Sequence, residues 1–290
     1  MILMELLHET WDKPPQEMEV ELPYNELLNM CEKLYCALKH DVQHGGTVHN
    51  CENVSVWARL LYILVPGIIN VALNYKICLY YQLPLHPTQY FEVPDKPCPQ
   101  RYSNEFIKAG EQLFINSIEL ALALYALSDT VQSKLEHFKK QVPDIITNFV
   151  YTSQPDAYTW KGSNPELIKK LADSIMSKGR PSLIIGAAHG ALMAGLVLAL
   201  YLDAPLWFLR FSMFKRKDTG PVITEYDRTY LEHFKNADVL VFDEDSASGQ
   251  TLRILEKSLS SMGLKLRTGA VIRHGSSGFK PDHVGRVWWD

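Results

Sequence analysis

Residues 239–252, VLVFDEDSASGQTL, constrain the fold of this chain more than any other stretch. Four apolar residues (Val239, Leu240, Val241, Phe242) run straight into three acids (Asp243, Glu244, Asp245). A small, hydroxyl-rich turn follows, Ser246-Ala247-Ser248-Gly249-Gln250-Thr251, and then apolar positions at Leu252, Ile254, Leu255 and Leu259. An unbroken β-branched and aromatic run bounded by polar residues reads as a strand buried on both faces, and the spacing after the turn reads as a helix. The junction is therefore a strand–loop–helix.

Such a junction gathers the amides of the loop and the free amides of the helix at one spot, which the helix dipole makes electropositive. Gly249 lets backbone approach a ligand closely, and Ser246, Ser248 and Thr251 add hydroxyl donors. An anion the size of a phosphate suits that spot. The acids before it stand at the carboxyl end of a central strand, where ligands bind in open α/β sheets. They would repel the phosphate itself and suit sugar hydroxyls or a bridging divalent cation. Phosphate, vicinal hydroxyls and a metal together describe a ribose 5-phosphate. The plainer alternative is a buried strand, a polar turn and a capped helix.

The stretch resembles the phosphoribosyl diphosphate (PRPP) motif of the type I phosphoribosyltransferases: four apolar residues, two acids, a variable part, then a small residue, Thr or Ser, Gly, any residue and Thr. Asp243 and Glu244 match the acidic pair, and Ser248-Gly249-Gln250-Thr251 match the phosphate turn. The resemblance implies that the acids meet the ribose hydroxyls, with Mg2+, and that Asp245, Ser246, Ala247, Ser248, Gly249, Gln250 and Thr251 surround the 5-phosphate. Three positions depart from the pattern. Glu244 stands where Asp is usual. Ala247 stands where hypoxanthine-type members carry an acid, although adenine- and orotate-type members have a small residue there. His189 stands where many members have Arg or Lys.

The surrounding sequence predicts an alternation of strands and helices. Asn164-Pro165-Glu166 is a helix start, and apolar spacing from Leu167 carries the helix to about Lys178. Ser182–Ile185 reads as a strand leading into Gly186-Ala187-Ala188-His189-Gly190. Leu192–Leu202 reads as a deeply packed helix and Leu206–Phe211 as a strand; a polar stretch runs to Asn236. After the motif its helix extends to Met262, and a strand lies near Thr268–Ile272. This order predicts an α/β fold with a mostly parallel sheet behind a helical N-terminal region, and the resemblance implies a twisted sheet of phosphoribosyltransferase type. The resemblance places pyrophosphate at Ala188, His189 and Gly190, with Arg210 and Lys215 nearby and a mobile loop around Lys215–Gly220. Phe279-Lys280-Pro281-Asp282 resembles the stretch leading to the hood over the base in purine-type members, with Trp288 and Trp289 as stacking surfaces.

The first 150 residues read differently. Helical faces lie at Leu27–Leu38, 54–65, 68–81, 104–127 and 130–140, and Pro84, Pro87, Pro94, Pro97 and Pro99 mark an irregular connection. No catalytic motif occurs there, and its role is left open. Leu60–Tyr75 reads as a buried helix broken at Pro66-Gly67 and short for a membrane span. Gln154-Pro155-Asp156 reads as a linker between a helical region, 1–150, and the α/β domain, 151–290. A net charge of -4 argues against a general nucleic-acid partner. Five cysteines without a regular framework predict reduced thiols; Cys51, His44 and His49 lack zinc-site spacing. With no secretory signal pattern in the first residues, the expected setting is cytoplasmic, without a membrane.

The expected activity is transfer of ribose 5-phosphate from PRPP to a nitrogenous base, purine slightly favoured, with release of pyrophosphate. A homo-oligomer is compatible with this. Two other classes stay open: a non-catalytic sensor of PRPP or a nucleotide, and a nucleoside or nucleotide hydrolase on the same site.

Overall fold

The computed structural model describes residues 3–44, 52–85, 99–213 and 218–289. Pro87, Pro94, Pro97 and Cys98 of the proline-bearing connection, His49 and Cys51, and Lys215–Lys217 lie outside the described residues. The chain divides into two compact units, Met1–Thr10 with Pro15–Pro155, and Trp11–Pro14 with Asp156–Asp290.

The first unit is mainly helical. Two single turns of 3-10 helix precede β1 (Val20–Pro23), which runs into α1 (Tyr24–Gln43). Then come α2 (Glu52–Tyr80), α3 (Asn104–Tyr125), α4 (Val131–Gln141), the short α5 (Asp144–Thr147) and β2 (Val150–Ser153). β1 and β2 pair antiparallel, Val20 opposite Ser153, a pairing the sequence reading had not anticipated. Buried tyrosine hydroxyls tie the helices to one another through backbone carbonyls: Tyr24 donates to Ile68 O at 3.0 Å, and Tyr125 to Tyr62 O at 2.6 Å, the carbonyl that Pro66 leaves without its helical donor.

One expectation is corrected here. The predicted break at Pro66-Gly67 is absent, and α2 is a single helix of 29 residues with Pro66 inside it. Gly67 explains part of this: a Cβ there would stand 2.7 Å from Tyr151 Cε1, so the bare backbone lets β2 pack tightly over the weakened turn. Asn53–Tyr80 is thus long and apolar enough to cross a membrane, by length and composition, and 78% of its most apolar window is buried.

The second unit holds α6 (Ala157–Gly162), α7 (Pro165–Met176), β3 (Leu183–Ala188), α8 (Ala191–Leu202), β4 (Leu206–Arg210), α9 (Glu225–Glu232), β5 (Asp238–Ser246), α10 (Gln250–Ser260), β6 (Lys265–His274) and β7 (His283–Trp288). Its five-stranded sheet has the order β4-β3-β5-β6-β7, and every pairing is parallel. The α/β fold with a parallel sheet is as the sequence predicted. The order reverses direction between β3 and β5, which makes the crevice past their carboxyl ends the natural ligand site.

Local signals explain most boundaries. Asn164 caps α7, accepting from Glu166 N at 2.9 Å, with Pro165 in its first turn. β3 runs on through Gly186 to Ala188, three residues beyond the predicted end. Gly186 and Gly195 make room for the Phe208 and Phe242 rings, which fill the space between α8 and the sheet. The polar stretch before Asn236 contains α9, whose Thr224 and Asp227 form a reciprocal capping box. The chain end adds β7 at the sheet edge, another element not predicted.

Candidate functional site

β5 carries the three acids inside the strand rather than after it, and the turn comprises Ala247, Ser248 and Gly249. Gly249 has φ +73° and precedes α10 as its N-cap residue. Ala247, Ser248 and Gln250 face solvent, Thr251 is half-buried, and Ser248 Oγ accepts from Gln250 N at 3.4 Å. Ser246 is buried, and its Oγ has no hydrogen-bond partner among the described residues. The turn thus presents solvent-facing residues at the N-terminal end of α10, beside a buried hydroxyl without a partner, a setting that suits an anion.

The acids behind it are crowded. Asp243 and Glu244 are each 8% exposed. Burial, then the neighbouring Glu244 and Asp245, push the Asp243 carboxyl well above the usual range. Burial also raises Glu244, partly offset by its interaction with the Asp243 side chain. Asp245 is raised by burial and held down in part by His274, whose Nε2 lies 3.1 Å from Asp245 Oδ2. The Ala247 amide and Asp156 also act on Asp245, the first supporting and the second opposing its charge.

Glu244 points away from the phosphate turn. Its Oε1 accepts from Thr159 Oγ1 at 3.3 Å, while Oε2 is buried and meets no amide, hydroxyl or cationic donor. A Cβ on Gly190 would collide with its carboxyl group, and one on Gly162 would lie 2.6 Å from its carbonyl oxygen. The carboxyl therefore lies between α6 and the first residue before α8. The loop itself is only His189-Gly190, since Ala188 ends β3; the Ala188–His189 peptide is cis.

The other predicted residues fall as follows. Arg210 ends β4, is 1% exposed and has Nη2 3.7 Å from Asp218 Oδ1. Lys215 lies outside the described residues. Trp288 ends β7 half-buried, with Lys161 Nζ 4.5 Å and Arg286 5.1 Å from its ring centre, and Trp289 is 76% exposed. The sequence reading missed α6. Its N-cap Asp156 accepts from the Tyr158 and Thr159 amides, and the helix brings Thr159 and Gly162 to Glu244 and sets Tyr158 beside His274 with ring centres 5.8 Å apart. The signal was available: Asp156 before a helical run is a cap as well as a linker residue.

Neither a family model nor a curated protein matches the chain. The C-terminal part is similar to purine phosphoribosyltransferases of known structure. A Pyrococcus horikoshii purine phosphoribosyltransferase is 23% identical, with 44% of this chain and 86% of that one covered and a TM-score of 0.36. The Helicobacter pylori xanthine-guanine-hypoxanthine enzyme is 19% identical, with 43% and 79% covered and a TM-score of 0.33. A Neisseria gonorrhoeae protein with bound ppGpp is 18% identical, with 44% and 80% covered and a TM-score of 0.36. The fold assignment itself stands on the strand order and the parallel pairing.

Proposed function

We propose that the C-terminal unit binds PRPP and transfers its ribose 5-phosphate to a nitrogenous base, releasing pyrophosphate. One observation carries the reading. A buried acidic pair lies near the carboxyl end of β5 at the reversal of sheet order, and the strand then runs through the unpartnered Ser246 hydroxyl into a turn with a left-handed glycine before α10. In this reading the turn 246–251 holds the 5-phosphate through amides and hydroxyls, and Asp243 faces the ribose hydroxyls.

Magnesium fits this donor set. Two adjacent hard carboxylates, one with a buried oxygen lacking a donor, suit an ion whose other ligands come from the substrate. Asp243 and Glu244 would hold it, and it would neutralise charge developing on the leaving diphosphate. The protein's own contribution is orientation of the ribose and exclusion of water from an electron-poor ribosyl centre. Trp288 and Trp289 remain the proposed surface for the base.

The test is pyrophosphate release from magnesium PRPP with and without a panel of bases. Release that requires a base supports the transferase; release without one favours a hydrolase. Binding without turnover favours a sensor, a reading to which the Glu244 carboxyl against Gly190 and the absence of an acid at Ala247 both lend weight.

A further inference from the structure

We propose that the Glu244 carboxylate is the resident anion of the Ala188–Gly190 loop, so that a ligand's diphosphate enters only by displacing it. The proposal deepens the ribose 5-phosphate reading and rests on it for the identity of the ligand. α8 is a twelve-residue helix with no acid in its first turn and no capping side chain, because its N-cap residue is Gly190. Its positive end is left without a charge from its own sequence. Glu244 supplies one from the neighbouring strand: its carboxyl occupies the space where a Gly190 side chain would begin. The side chain is more than nine-tenths buried, and its Oε2 has no hydrogen-bond partner among the described residues.

The length of the side chain matters. Gly162 brings backbone of α6 against the Glu244 carbonyl, and Thr159 holds Oε1, so the side chain is confined to a path toward α8. An aspartate on the same Cα would fall short by one methylene, about 1.5 Å. It would leave the space beside Gly190 open. A diphosphate and the glutamate carboxylate are like charges aimed at one positive helix end, and they exclude each other. Glu244 thereby weakens pyrophosphate binding and fills the loop again once pyrophosphate leaves.

Calorimetric titration with magnesium-free pyrophosphate, on wild type, Glu244→Asp and Glu244→Gln, tests this without the metal that Glu244 would help to hold. The Asp variant should bind pyrophosphate at least tenfold more tightly than wild type. The Gln variant, which keeps the bulk and loses the charge, should gain at least threefold. Thermal melts establish that each variant is folded, and either folded variant suffices for the comparison. Pyrophosphate affinity that is unchanged or lower in the folded variants would overturn the proposal. Titration of wild type with ribose 5-phosphate runs alongside. Absence of that binding counts against the phosphoribosyl reading, while the pyrophosphate comparison still decides the role of Glu244.

Discussion

The indole Nε1 of Trp207 donates to Asp227 Oδ1 across 2.9 Å in the interior of the C-terminal unit. Asp227 also accepts from the Thr224 amide at 2.8 Å and from its hydroxyl at 2.7 Å. One fully buried carboxylate therefore fixes β4 and starts α9. Asp227→Ala strands a buried indole N–H and removes half of a capping box, an expected loss of roughly 2–4 kcal/mol. Asp227→Asn keeps an acceptor for Trp207 and should recover more than half of that loss. Urea unfolding of the two variants measures the difference.

The raised Asp243 pKa has a sign that can be checked. A carboxyl whose folded pKa lies above its unfolded value, about 3.9, does not oppose folding below that value and opposes it increasingly as pH rises. Asp243→Asn carries no charge and should raise the melting temperature of the ligand-free protein at pH 7, by roughly 2–4 °C for each kcal/mol of relieved burial. The gain should shrink toward pH 4. Magnesium PRPP should raise the melting temperature of wild type and not of the variant, because the carboxylate that faces the ribose is gone. A gain over wild type that is no larger at pH 7 than at pH 4 would count against the burial argument.

His283 behaves in the opposite direction. Burial, then Arg267 and Lys178, lower its pKa, with Asp282 opposing. The neutral ring lies between Ser174, 3.0 Å from Nδ1, and Arg267, 3.5 Å from Nε2. Folding favours the neutral form, so this contribution is complete above about pH 6.5 and is lost as pH falls below it. Melting curves from pH 7.5 to 5.5 should fall more steeply for wild type than for His283→Gln.

Gly249 and Gly263 both have positive φ, +73° and +79°, and differ in surroundings. A Cβ at Gly263 would meet only Lys235 carbons at 3.7 Å, whereas at Gly249 it would run into the Phe279 side chain and come within 3.1 Å of Ser277 Oγ. Gly263→Ala should cost about 1 kcal/mol, the backbone penalty alone. Gly249→Ala should cost at least about 2 kcal/mol more, from overpacking, and should weaken ribose 5-phosphate by shifting the turn amides. Paired denaturation and calorimetry separate the two effects.

The motif was legible because a strand covered on both faces has no need to alternate: Val239–Phe242 could be read as one apolar run. The acids beyond it read as the boundary at the strand's carboxyl end because charge inside a buried strand is rare, although β5 continues through all three. β7 was hidden for a related reason. Only His283 of its six residues is fully buried, and the chain returns from β6 through 275–282 without the helix that usually joins parallel strands. α9 was lost in a polar stretch whose Thr224-x-x-Asp227 signature went unused. No periodicity announces that Glu244 turns toward Gly190, since that depends on α6, a helix of six residues, and on two glycines far apart in sequence.

Trp11 stacks on Trp160 with ring centres 4.4 Å apart, and residues 11–14 belong to the C-terminal unit although they lie near the start of the chain. During synthesis Trp11 emerges early and must wait until Trp160 follows it before that pair can close, with nearly the whole N-terminal unit made in between. A fragment beginning at Asp156 would contain every strand of the sheet and still leave one face of Trp160 bare, loosening the helix that confines Glu244.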